Sequence, residues 1–146
     1  MIGAIVQARM SSTRLPGKVL LPLAGKPVLS HVFERVQCSK GLDTVIVATT
    51  TDAEDDTIAT LCAENSYNCF RGSQNDVLLR YFEAARQFKL DVIVRITCDN
   101  PFVDPDIIGE VIAAYTDSQC DYISNVLPGG RMYPRGLDVE VFSFNA

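Results

Sequence analysis

The 146-residue chain is poor in positive charge: 13 Lys and Arg against 18 Asp and Glu leave −5 with its single histidine neutral. No diffuse basic field exists to hold a nucleic-acid backbone, which argues against a polymeric nucleic acid as partner. Long apolar runs are missing too, and no basic stretch precedes the short apolar segment at the start, so neither a membrane span nor a secretory signal is expected. The five cysteines, Cys38, Cys62, Cys69, Cys98 and Cys120, are odd in number, form no C-x-x-C pair and sit mostly among apolar residues. Reduced, buried thiols in a cytoplasmic protein are the expectation. The chain has no internal repeat, low-complexity tract or linker, and 47% hydrophobic with 21% charged residues is the profile of one globular domain over 1–146.

Acid is absent where it matters most. Residues 1–33 contain Arg9, Arg14, Lys18 and Lys26 and no Asp or Glu, a net +4 against −9 for the remainder. Either an anion binds near the N-terminus or that segment forms a basic surface patch.

Element types alternate along the chain. Residues 2–6 form an apolar, β-branched run of the kind buried on both faces of a parallel sheet. Pro27 opens a helix whose apolar positions Val28, Leu29, Val32, Phe33 and Val36 make one stripe. Residues 44–49 read as a second buried strand. Asp52 and the acids at 54–56 open a helix to about Asn65, those acids being read as a solvated face matched to the helix dipole. A strand at 67–70, a helix at 75–88 and a strand at 91–97 follow. Asp104-Pro105 places a cap and a first-turn proline before a helix to about Tyr115. Residues 122–124, a turn at 127–130 and an extended run at 137–142 complete the chain. Strands separated by helices of this length give right-handed βαβ units, hence an α/β fold with a mostly parallel sheet flanked by helices.

In such sheets ligands sit beyond the carboxyl ends of the strands. After the first strand comes Gln7-Ala8-Arg9-Met10-Ser11-Ser12-Thr13-Arg14-Leu15-Pro16-Gly17-Lys18. It has neither the G-x-G-x-x-G of a dinucleotide site nor the G-x-x-x-x-G-K-[ST] of a P-loop, but offers three fixed cations and several hydroxyls, a set suited to a triphosphate. After the strand at 91–97 comes Cys98-Asp99-Asn100-Pro101, where Asp99 is either a metal ligand or a strand-end Asx that bonds its own backbone. The third place is Arg71-Gly72-Ser73-Gln74-Asn75-Asp76, where Asp76 reads equally as a helix cap or a ligand contact. His31 reads as a surface residue, Cys98 as a small buried thiol and Asp104 as a cap.

The stretch A-R-M-S-S-T-R-L-P-G-K, with G-K-P at 25–27, resembles the signature loop of the sugar cytidylyltransferases that make CMP-activated sugars, and most resembles the SpsF-like spore coat polysaccharide branch. The segments C-D-N-P at 98–101, R-G-S-Q-N-D-V-L-L-R-Y at 71–81 and P-R-G-L-D-V-E-V-F at 134–142 resemble further family segments, so the likeness covers nearly the whole chain. It implies a nucleotide-diphospho-sugar transferase architecture of the GT-A, Rossmann-like kind. It also implies nucleotide contacts from Ala8, Arg9, Ser12, Arg14, Lys18, Gly72, Ser73 and Asp76, with Arg14 and Lys18 catalytic and Asp99 holding Mg2+. The implied reaction is attack of a sugar acceptor on the α-phosphate of CTP with release of pyrophosphate, and the likeness also implies a homo-oligomer. Family members continue well beyond residue 146, so a chain incomplete at its C-terminus is expected. The competing readings are a non-catalytic nucleotide or nucleotide-sugar binding domain, and a GT-A glycosyltransferase, which normally carries Asp-x-Asp where this chain has Asp99-Asn100-Pro101.

Overall fold

A computed structural model describes residues 1–127, 130, 131 and 133–146; the side chains of 127 and 130 are outside the description. The elements are β1 (Ile2–Gln7), a 3-10 turn (Lys18–Leu20), the hairpin β2 (Pro22–Leu23) and β3 (Lys26–Pro27), α1 (Val28–Gln37) and β4 (Thr44–Thr50). A second 3-10 turn (Ala53–Asp55) leads into α2 (Asp56–Glu64), β5 (Asn68–Gly72), α3 (Val77–Gln87), β6 (Val92–Thr97) and α4 (Pro105–Asp117). The chain ends with β7 (Tyr122–Ser124), the pair β8 (Val126–Leu127) and β9 (Gly130–Arg131), and β10 (Glu140–Ser143). The turn expected at 127–130 includes 128 and 129, which lie outside the described residues.

The main sheet has the order β5-β4-β1-β6-β10-β7. β5, β4, β1 and β6 are mutually parallel, whereas β10 runs antiparallel to β6 and β7. From β1 the chain steps outward through β4 and β5 and then returns to the other side of β1 as β6. The order therefore reverses between β1 and β6, where Gln7 and Thr97 lie side by side at the carboxyl ends. That is the crevice in which open α/β sheets bind ligands.

Alternation along the strands decides which helix covers which face. Ala4, Val6, Val45, Val47, Val94 and Ile96 point to one side, into a cluster with Leu29, Val32 and Val36 of α1, Ile58 of α2 and Ile108 of α4. Ile5, Ile46, Ala48 and Ile93 point to the other, against Tyr81, Ala84 and Ala85 of α3. Both faces of β1 are covered, which is why residues 2–6 read as an unbroken apolar run. On α3, the outward residues Leu78, Leu79 and Phe82 stay exposed beside a groove of about 360 Å³ that Phe142 and Phe144 also line. Among the described residues no helix is long and apolar enough to cross a membrane.

Three sequence expectations need correction. Asp55 is not part of a solvated face: it is 2% exposed, because the chain enters α2 through a 3-10 turn that rotates this carboxylate inward. Cys38 and Cys120 are exposed rather than buried, since both follow helix ends where no layer covers them; Cys62 and Cys98 are buried as expected. His31 is half-buried, and its Nε2 lies 2.6 Å from the Leu23 carbonyl, so the ring ties α1 to the β2–β3 hairpin.

Candidate active site

The segment between β1 and the first 3-10 turn is a closed loop. The Gly17 N–H donates to the Met10 carbonyl at 2.9 Å, and Gly17 has φ +69, a left-handed conformation that favours glycine. From outside, the loop is anchored by the buried Asp55 carboxylate, which accepts from the Met10 N–H at 2.7 Å and from both the N–H and the hydroxyl of Thr50. The carboxylate thus pins the backbone of this loop to the end of β4.

This closure turns Arg9, Ser12, Arg14 and Lys18 toward the carboxyl ends of β1 and β6. With Gln7, Ser11, Thr13, Arg95, Thr97 and Asp99 they line one cavity of about 250 Å³. The structure therefore brings together five of the residues expected from sequence: Arg9, Ser12, Arg14, Lys18 and Asp99. Ala8 is excluded from the cavity, being 1% exposed, with its N–H donating to the Ala48 carbonyl at 3.1 Å. Gly72, Ser73 and Asp76 lie apart, at the end of β5 and in the turn that leads to α3. Asp76 is the N-cap of α3, accepting from the Leu79 N–H at 2.8 Å, and Asp104 likewise caps α4.

Sequence reasoning missed Arg95 and Thr97. They share one face of β6, and the signal was available, since Arg95 is the one charged residue inside Val92-Ile93-Val94-Arg95-Ile96. Arg95 reaches the cavity while ion-paired to Glu140, its cross-strand neighbour on β10.

Within the cavity, Lys18 Nζ donates to Asp99 Oδ2 at 2.6 Å. Burial pushes the Asp99 carboxyl up, but the bonds from Lys18 and Thr97 outweigh it and hold the group below the ordinary carboxylate range. Neighbouring Cys98 is pushed the other way, first by burial and then by the Asp99 charge, so its thiol stays protonated and is a poor nucleophile. Because Asp99 binds fewer protons folded than unfolded, its contribution to stability is present above the ordinary carboxylate pKa and is lost as pH falls through the depressed folded value. Asp99→Asn should therefore flatten the acid limb of a melting-temperature profile between about pH 5 and 2. A limb as steep as the wild type's would show that the ion pair does not form in solution.

The arrangement gathers four cationic side chains and one carboxylate at a sheet crevice, the chemistry of a site for a polyphosphate with a divalent cation. A family model described as cytidylyltransferase matches residues 3–131. The spore coat polysaccharide biosynthesis protein SpsF of Bacillus subtilis is 42% identical over 122 residues, covering 81% of this chain and 51% of that protein. A 3-deoxy-manno-octulosonate cytidylyltransferase of Anaeromyxobacter dehalogenans is 36% identical over 115 residues, covering 77% of this chain and 46% of its own. Among solved structures, a cytidylyltransferase from Leptospira borgpetersenii superposes with a TM-score of 0.92 at 36% identity, covering 99% of this chain and 60% of that one. The chain spans about half the length of the curated relatives it matches.

Proposed function

This chain belongs to the cytidylyltransferase family, and on that premise we propose that it binds CTP with Mg2+ and carries the nucleotide half of a cytidylyl transfer to a sugar. The observation that supports this reading is the convergence of Arg9, Arg14, Lys18 and Asp99 on one cavity at the point where the strand order reverses. In the reaction, a sugar hydroxyl or sugar-phosphate oxygen attacks the α-phosphorus, a new P–O bond forms, the bond from the α-phosphorus to the bridging oxygen breaks to release pyrophosphate, and a hydroxyl acceptor gives up its proton to solvent. No protein nucleophile is needed, in keeping with a protonated Cys98.

Catalysis is then a matter of position and charge. Arg9, Arg14 and Lys18 hold the β- and γ-phosphates, with Ser12 near them, and so neutralise the leaving pyrophosphate. Lys18 is engaged with Asp99 in the free protein and exchanges that carboxylate for a phosphate oxygen when nucleotide arrives. Asp99 is the single carboxylate among the cavity's described lining residues, and its hard oxygens fit Mg2+, which commonly takes one or two protein carboxylates and completes its shell with phosphates and water. When bound, Mg2+ supplies further neutralisation of the phosphate charge. The Gly72–Ser73 turn lies by the base. Its two carbonyls are already engaged, Gly72 by the Thr51 N–H at 3.0 Å and Ser73 by Arg80 at 2.6 Å, and Gly72 is the last ladder residue of β5, which leaves base contact to the Ser73 N–H. The acceptor is a sugar precursor of a cell-surface polysaccharide, and the protein works in the cytoplasm.

Calorimetry of the chain with CTP, UTP and ATP in Mg2+ checks this reading. The expected result is measurable heat with CTP, at least tenfold weaker binding of the other two, and loss of the Mg2+ dependence in Asp99→Asn. Equal and negligible heats for all three nucleotides would refute it, and an unchanged Mg2+ dependence in a folded Asp99→Asn protein would return Asp99 to a strand-end role.

A further inference from the structure

Arg80 is the largest fully buried side chain of the described residues, at 0% exposure. A guanidinium carries five N–H donors, and taking it out of water is costly unless those donors and the charge are matched. Here only Nη1 is matched, donating to the Ser73 carbonyl at 2.6 Å. Nε and Nη2, the two nitrogens of the side-on edge, have no hydrogen-bond partner among the described residues. Burial opposes the cationic form of Arg80 most, Tyr81 and Asp55 favour it and Arg9 opposes it, and the net effect is a pKa below the ordinary arginine value. A buried charge with one bond weakens the resting fold compared with an apolar side chain of similar length.

Its contacts say where the arginine acts. A Cβ on Gly72 would come within 3.1 Å of Arg80 Cγ and 2.6 Å of the Phe70 ring, so the turn after β5 rests directly on the arginine stem. Ser73 is held from two sides, its carbonyl by Arg80 and its hydroxyl by the Asp76 N–H at 3.0 Å.

We infer that Arg80 is a positioning residue for base selection, holding the Gly72–Ser73 turn in the shape that distinguishes cytosine from other bases at the expense of stability. The inference rests on the proposal that this turn lies by the base. A purely structural arginine would be needed for stability and indifferent to the base, whereas this one is dispensable for stability and required for selectivity.

The test compares wild type, Arg80→Met and Arg80→Lys by thermal melting and by binding of CTP, UTP and inorganic tripolyphosphate in Mg2+. Tripolyphosphate probes the N-terminal loop without a base. Arg80→Met is expected to melt no lower than wild type, to bind tripolyphosphate within threefold of it, and to lose at least tenfold of the CTP-over-UTP preference. Arg80→Lys keeps the charge but lacks the rigid fork, so it is expected to fold and lose part of the preference; an Arg80→Met protein that melts well below wild type or does not fold overturns the claim that the arginine is dispensable for stability. A variant that retains the full preference overturns the inference, as does an equal loss of CTP and tripolyphosphate binding. A wild type that binds CTP and UTP equally overturns the base-site reading itself, and that outcome is read from the wild type alone.

Discussion

Lys18→Ala and Arg14→Ala should each weaken CTP binding in Mg2+ by about 10- to 150-fold, the equivalent of losing one charge-assisted contact of about 1.5–3 kcal/mol. CMP binding should change by no more than about threefold, because the proposed partners of both side chains are the β- and γ-phosphates that CMP lacks. The two variants should nevertheless differ in one respect. Lys18 donates to Asp99 in the free protein, so its removal leaves that carboxylate without its counter-ion and raises the affinity for a divalent cation in the absence of nucleotide. Arg14 is exposed and lines the same cavity, and has no such bond to Asp99, so Arg14→Ala should leave cation affinity unchanged. Titration of both variants with Mn2+ alone, followed by CTP and CMP, separates these effects. Equal losses for CMP and CTP would show that the two residues act on the base or on folding.

The parts of the molecule that sequence made legible are those whose signal is local. Four parallel strands and four helices read correctly: β1, β4 and β6 are apolar, β-branched runs, each helix carries one stripe, and α3 and α4 announce their starts with Asp76 and Asp104. The cationic loop was legible because an acid-free segment is a property of composition. What stayed hidden depends on partners distant in the chain. The 137–142 run looked like any further strand, and only its insertion between β6 and β7 makes it antiparallel and sets Glu140 against Arg95. Arg71 sits at the end of β5, where a charged residue is unexpected, because its guanidinium caps the Thr50 and Asp52 carbonyls across the strand ends. The same limit applies to Arg80, whose position on α3 alternates with apolar residues and gives no hint that it is sealed beneath the Gly72–Ser73 turn.

The adjacent acids Asp55 and Asp56 should respond very differently to the same change, because tertiary placement and not residue type decides their roles. Asp55 is 2% exposed and accepts three hydrogen bonds, from the Met10 N–H, the Thr50 N–H and the Thr50 hydroxyl. An asparagine fits the same space and can accept with its one oxygen, but its amide then sets donors against the remaining donors. That mismatch in a buried site should cost about 2–3 kcal/mol, a fall of roughly 5–10 °C in melting temperature for a chain of this size. Since the released group is the backbone of Met10, beside Arg9, tripolyphosphate binding should weaken as well, although Asp55 lies outside the cavity lining. Asp56 pairs with Arg71 at 2.7 Å with a side chain 62% exposed, and an ion pair so well solvated contributes little, so Asp56→Asn should shift stability by no more than about 0.5 kcal/mol and leave anion binding intact. Thermal melts and tripolyphosphate titrations of the two variants side by side decide the matter. If Asp55→Asn kept its melting temperature but lost anion binding, the carboxylate would be acting on the ligand directly. If it lost stability but bound tripolyphosphate like wild type, the N-terminal loop would owe its shape to Gly17 and its own bond to Met10, with the anchor to β4 serving only the fold.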